Sequence, residues 1–184
     1  MGAALYQSLY PNDKAKVALL NIGSEEIKGT ELLKSTYSKL KILDEMGDFK
    51  FNGYIEGNHI TKGDCNVIVT DGFTGNIALK TAEGTANFLT DNLKKALSAN
   101  IFSKISSLLS YFPLKKFKNK LDPRKYNGAI FLGLKGPVVK SHGSTDSLGF
   151  SYSLEVCYKI AKGQMIDKIK YNLGHIKKIK NDEK

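Results

Sequence analysis

The chain has 184 residues, 41% of them hydrophobic and 25% charged, which suits one folded domain of ordinary size and excludes both a disordered chain and two large domains. Lys plus Arg number 28 against 18 for Asp plus Glu, a formal net charge of +10. No apolar run approaches the roughly 18 residues of a membrane-spanning helix, and the start, MGAALYQ, lacks the basic and then apolar stretches of a secretory signal, so the cytoplasm is the expected location.

The first predicted element is a short buried strand over Lys16 to Asn21, ending in a loop at Ile22-Gly23. Thr30 then caps a helix from Glu31 to about Leu43, with Leu32, Leu33, Leu40 and Leu43 on its apolar side. Phe49 to Ile55 and Cys65 to Thr70 read as strands, the second rich in β-branched residues. A long helical pattern runs from Gly75 to about Ala99. Between Ile101 and Phe112 the apolar residues Ile101, Phe102, Ile105, Leu108, Leu109 and Phe112 share one helical face, and Pro113 interrupts the pattern. Ala129 to Leu134 and Pro137 to Lys140 look extended. A helix is expected from Thr145 to about Lys170, capped by Ser144 or Thr145, with a frayed lysine-rich end from Lys177 to Lys184. Strands alternating with helices predict an α/β fold with a mainly parallel sheet, in which ligands bind beyond the carboxyl ends of the strands. No internal repeat is present.

Cys65 and Cys157 lie 92 positions apart without CxxC spacing, so free buried thiols are expected rather than a disulfide or zinc site. His59 and His175 have no partner at metal-ligand spacing, and no metal or cofactor is expected. Charge is concentrated: Lys94 to Lys125 holds nine basic residues and one acid, net +8. Such a patch calls for an anionic partner, either nucleic acid, anionic lipid or an acidic protein. Arg124 is the single arginine and no RNA- or DNA-binding signature accompanies it, so no nucleic-acid partner is expected. Two readings remain for Ile101 to Leu121. One is a core-facing helix with a solvated tail. The other is an amphipathic segment resting on an anionic membrane through Ile105, Leu108, Leu109 and Phe112, with Lys115 and Lys116 facing the headgroups.

Three loops after predicted strands carry the polar chemistry. In the first, from Asn21 to Gly29, Asn21 and Gly23 are candidates for ligand contact. In the second, a strand delivers Asp71 to its end, and Gly72 and Gly75 open a helix whose free N–H groups suit an anion; Asn76 adds a neutral donor and Lys80 a point charge. An ordinary turn with Asp71 as the cap fits the same residues. In the third, Lys140, Ser141, His142, Gly143 and Ser144 precede a helix start, an arrangement suited to phosphate and equally to plain capping. Glu56, between glycines at a strand end, can orient a ligand or remain a solvated acid. Neither GxxxxGK[ST] nor GxGxxG occurs.

In order, the segments VALLNIGSEEIKG (17–29), GYIEGNHI (53–60), DCNVIVTDGFTGNIALKTAEG (64–84) and GAIFLGLKGPVVKSHGSTD (128–146) resemble the C-terminal half of the PlsX phosphate acyltransferases of bacterial phospholipid synthesis. The resemblance implies a three-layer α/β/α fold related to phosphotransacetylases and isopropylmalate dehydrogenases. It implies transfer of a fatty acyl group from acyl carrier protein to inorganic phosphate, a homodimer, and peripheral membrane association through the segment at about 96–125. A membrane acyltransferase acting next in the pathway is a further implied partner. Members of that family are nearly twice as long, so a truncated or split-gene product is expected, with an incomplete interdomain site and a non-catalytic membrane or assembly fragment as the alternative. Phosphate is itself a nucleophile, so such chemistry needs only positioning and charge stabilisation. Lys80, Lys140 and His142 are the residues implied to supply these, with Asn21 and Asn76 orienting the reactants.

Overall fold

Strand β1 (Lys16–Leu20) carries Val17, Ala18, Leu19 and Leu20 in succession, and all four are buried. Because successive side chains point to opposite faces of a sheet, an unbroken apolar run belongs to a central strand. In the computed structural model, which describes residues 1–182 apart from Met46, Asp48 and Leu121 and only the backbone of Pro123 and of residues 175–182, β1 is central. It lies parallel to β2 (Lys50–Ile55) on one side and to β3 (Val67–Val69) on the other. Val17 joins Ala15 and Phe49, covered by Tyr6 of helix α1 (Gly2–Leu9) and by Leu40 and Leu43 of helix α2 (Glu31–Glu45). Ala18 and Leu20 cluster with Ile55, Ile60 and Ile68.

The register slips once. Val17 pairs with Phe51 and Leu19 with Tyr54, so β2 carries one extra residue between them. Gly53 absorbs this bulge at φ +77°, a backbone angle that side-chain-bearing residues resist. The bulge brings Tyr54 against Tyr37 of α2, with ring centroids 4.6 Å apart.

The chain divides into two compact units. Unit 1 comprises Met1–Thr70, Gly128–Lys140 and the chain from Ser153 onward; unit 2 comprises Asp71–Asn127 and Ser141–Tyr152. Besides the parallel sheet, unit 1 holds an antiparallel pair, β4 (Ala129–Ile130) with β5 (Val139–Lys140), shorter than the extended stretches expected there. The Gly133 turn, at φ +92°, lets the chain reverse between them. Helix α7 (Met165–Asp182) lies against α1, where Asn172 Nδ2 donates to the Ala4 carbonyl at 3.3 Å. The α/β class with a mainly parallel sheet agrees with the sequence reading.

Unit 2 is helical. It contains α3 (Gly72–Ser98), α4 (Ile101–Leu109), α5 (Tyr111–Lys120) and a 3-10 turn (Pro123–Tyr126). Asn100 caps α4, its side chain accepting from Ser103 N–H at 2.8 Å. Pro113 does not interrupt a helix as expected. The break falls at Ser110, and Pro113 sits in the first turn of α5, where a missing N–H costs no helical hydrogen bond.

Two further corrections concern the C-terminal third. Helix α6 (Ser147–Lys162), whose first six residues belong to unit 2, is separated from α7 at Gly163-Gln164 by the left-handed Gln164 (φ +49°), so the single helix expected to reach Lys170 is two. Its start is capped by Asp146, which accepts from Gly149 N–H at 2.9 Å, and not by Ser144 or Thr145. Helix α1 was not anticipated: it is short and precedes the first strong periodic signal. Of the lysine-rich end expected to fray, α7 extends to Asp182, and Glu183 and Lys184 lie outside the described residues. Among the described residues no helix is long and apolar enough to cross a membrane. Cys65 and Cys157 are free and half-buried.

Candidate functional site

Within unit 2, α3 places Asn76, Lys80 and Glu83 on one exposed face, because residues three and four apart in a helix are neighbours. The segment from Ser141 to Asp146 meets that face. Lys80 Nζ donates to Glu83 Oε2 at 2.7 Å and lies 3.3 Å from His142 Nε2. Across the ring, His142 Nδ1 receives the Ser144 N–H at 3.4 Å. That nitrogen stands 2.9 Å from Ser144 Oγ. Glu83 Oε1 lies 3.9 Å from His142 Nε2, and the hydrogen bond from Lys80 holds the Glu83 carboxyl below its ordinary pKa. The cluster is open to solvent: the His142 side chain is 48% exposed.

The loop carrying His142 is tied down by the segment just before Gly128. Asn127, only 8% exposed, accepts the His142 N–H on Oδ1 at 2.9 Å and donates through Nδ2 to the Gly149 carbonyl at 2.8 Å. The same nitrogen lies 3.0 Å from Ser141 Oγ and 3.3 Å from Thr145 Oγ1. Arg124 adds a second tie, holding Asp122 at 2.7 Å and Asp146 at 3.1 Å. The guanidinium draws the Asp122 carboxyl down to about 2. Asp146 is lowered first by the Gly149 N–H and then by Arg124.

Asp71 fills the start of α3 with the protein's own carboxylate. Its Oδ1 accepts from Phe73 and Thr74 N–H, both at 2.9 Å, and hydrogen bonds from Thr74 lead the lowering of its pKa. The helix-start amides expected to be free for an anion are thus in part engaged, as the capping alternative requires. Gly72 and Gly143 have open space where a Cβ would stand, and Gly75 donates its N–H to the Asp71 carbonyl at 3.0 Å.

The other residues predicted for ligand contact or catalysis lie in unit 1. Asn21 is buried: Nδ2 donates to the Lys28 carbonyl at 3.0 Å, and Oδ1 accepts from Ile22 N–H at 2.9 Å. Its amide closes its own loop. Gly29 permits this, with φ +93° and an added Cβ only 2.5 Å from Asn21 Oδ1. The Asn21 N–H donates to the Ile55 carbonyl at 2.9 Å, joining the ends of β1 and β2, and half-buried Glu56 follows. Beside Gly23, Glu25 and Lys28 pair at 2.8 Å, which raises Lys28 and lowers Glu25. Lys140 belongs to β5 and is exposed. An apolar recess of about 220 Å³ in unit 1, lined by Met1, Leu132, Leu134, Ile160, Met165 and Leu173 among others, contains none of the predicted site residues.

Comparison with known proteins decides the family. The model of the family described as fatty acid synthesis protein matches residues 1–168. The chain belongs to the fatty acid synthesis protein family. It is 65% identical over 173 residues to a phosphate acyltransferase of Pelagibacter ubique (strain HTCC1062), covering 94% of this chain and 52% of the relative. A phosphate acyltransferase of Albidiferax ferrireducens is 42% identical over 175 residues, covering 95% of this chain and 50% of its own length. One from Neisseria meningitidis serogroup A is 44% identical over 175 residues, covering 95% of this chain and 49% of its own. The chain thus spans about half the length of the curated relatives it matches.

In this family member the residues predicted to touch a membrane are exposed: Ile105 51%, Leu108 75%, Leu109 81% and Phe112 80%. Lys115 lies 5.6 Å from the centroid of the Tyr111 ring, and Lys116 stands beside it in α5. Sequence reasoning missed Glu83 and Asn127. The Lys80–Glu83 spacing of three was available as a helical pair. Nothing in the local pattern marks Asn127, whose partners are 14 to 22 residues away.

Proposed function

We propose that this chain carries the phosphate-holding cluster of an acyltransferase that moves a fatty acyl group reversibly from acyl carrier protein to inorganic phosphate, forming acyl phosphate for phospholipid synthesis. The family and the relatives named phosphate acyltransferase support the reaction type. The observation that carries the reading for this chain is Lys80 Nζ set between Glu83 and His142, with Ser144 on the far ring nitrogen.

The chemistry follows from the donors. Lys80 spends one of its three N–H groups on Glu83 and has another for a phosphate oxygen; Ser144 O–H supplies a further one. A phosphate held there attacks the thioester carbonyl, a C–O bond forms, the oxyanion collapses, and the C–S bond breaks with the thiolate leaving. The lysine charge offsets the negative charge that grows on the reacting oxygens. Glu83 keeps the ammonium aimed. The basic residues between Lys94 and Lys125 suit an acidic carrier protein.

Release of free thiol from acyl carrier protein tests the reading, using the chain alone and mixed with the remaining half of the Pelagibacter relative. Release that requires phosphate and falls at least tenfold, roughly, in Lys80→Met is expected. No phosphate-dependent release in either arm would overturn it.

The exposed apolar residues of α4 and α5 favour a second reading, a membrane-associated or assembly fragment without catalysis of its own. It predicts salt-sensitive binding to anionic vesicles. A homodimer covering part of the same apolar surface belongs to either reading.

A further inference from the structure

We infer that Asn127 is the positioning residue of the His142 loop, fixing Ser141 to Gly149 in the pose that presents Ser144 and Lys80 to phosphate. The inference rests on the phosphate-holding reading above. Among the described residues, unit 2 buries only Asn127 and Gly149, so no apolar core is available to hold this loop. The Asn127 amide replaces one. Its single acceptor goes to the His142 N–H at 2.9 Å, and its donors reach the Gly149 carbonyl at 2.8 Å and Ser141 Oγ at 3.0 Å. Both ends of the loop are therefore held by one buried side chain, and a buried polar group stripped of its partners is costly. Close approach is built in elsewhere too: a Cβ at Gly149 would collide with Thr145 Oγ1. Asn127 is itself fixed, its N–H donating to the Arg124 carbonyl at 3.2 Å while Arg124 grips Asp146 at the loop's far end. Asn127 touches no reacting atom in this scheme. It acts through His142 and Ser144.

The test combines amide hydrogen exchange with titration of the full chain by inorganic phosphate, followed by NMR. In the wild-type chain the His142 N–H is expected to exchange at least a hundredfold, roughly, more slowly than an unstructured amide. In Asn127→Ala that protection disappears while amides of β1 keep theirs, and phosphate affinity falls roughly tenfold. Asn127→Leu, which keeps the bulk of the side chain without its polar atoms, is expected to lose the protection as Asn127→Ala does, whereas a packing role alone would preserve it. An unprotected His142 amide in the wild-type chain overturns the inference even if the Ala variant fails to fold. Equal phosphate affinity in wild type and Asn127→Ala overturns it while leaving the phosphate reading standing. A wild-type chain that binds no phosphate removes the reading and the inference together.

Discussion

Unit 1 buries eleven apolar side chains among the described residues, from Ala4 to Met165, whereas unit 2 buries none and holds its His142 loop through Asn127, Arg124 and two carboxylates. The same chain thus uses two means of fixing geometry. Burial is non-directional and strong in sum, so it sets a sheet and tolerates local change. Hydrogen bonds and ion pairs are directional and weak in sum, so they set the pose of a few polar groups. The site cluster of unit 2 is built by the second means on long helices whose apolar residues remain uncovered. That arrangement makes the geometry of the cluster sensitive to single polar substitutions.

The largest effect that would sharpen this contrast is at Leu19, the fully buried side chain at the centre of β1. Leu19→Ala is expected to cost about 2–5 kcal/mol in urea unfolding; a change below about 1 kcal/mol would mean the core of unit 1 is not what holds it. Next comes Gly29→Ala, which forces a side chain into φ +93° against Asn21. A loss of about 1–3 kcal/mol is expected, read by the same unfolding curve, and an unchanged midpoint would show the Asn21 loop to be loose.

For unit 2, the joint change Leu108→Asp with Leu109→Asp is expected to alter unfolding by no more than about 0.5 kcal/mol, since both side chains are exposed. Sedimentation with anionic vesicles separates the two uses of that surface: abolished binding supports membrane contact, and unchanged binding rejects it. The smallest effect is electrostatic. Asp122 titrates at about 2 in the folded chain against an ordinary 3.8, held first by Arg124. Its contribution is fully present above the ordinary value and is lost as pH falls through the folded one. Between about pH 4 and pH 2 thermal stability should therefore drop, and Asp122→Asn should flatten that drop. Parallel slopes in the two proteins would remove Arg124 from the account.

Much of unit 1 was legible in the residue pattern. β1, β2 and β3 fell where the apolar runs stood, and Thr30 caps α2 as its position suggested, accepting from Leu33 N–H at 3.3 Å. These features arise from local periodicity and capping, which a sequence displays directly. The bulge at Gly53, the break at Gln164 and the cap at Asp146 depend on backbone angles and on partners brought near by folding, so periodicity did not show them. Within the site, Lys80, His142 and Ser144 were singled out as polar residues in glycine-rich loops, and the structure brings these three together. Asp71 and Asn21 were singled out on the same grounds, yet their side chains spend their hydrogen bonds on their own turns. Glu83 and Asn127 show the limit: one is a helical neighbour in an otherwise ordinary stretch, and the other reaches across a gap in sequence that only folding closes.

The central claim is that Lys80, His142 and Ser144 form an oxygen-rich anion's binding site. Chemical-shift mapping of the full chain during titration with inorganic phosphate addresses it most directly, with Lys80→Met as the comparison. Saturable shifts confined to Lys80, Glu83 and the Ser141 to Asp146 loop, lost in the variant, are the predicted result. Shifts absent there, or spread instead along the lysines of α5 and indifferent to Lys80→Met, would contradict it.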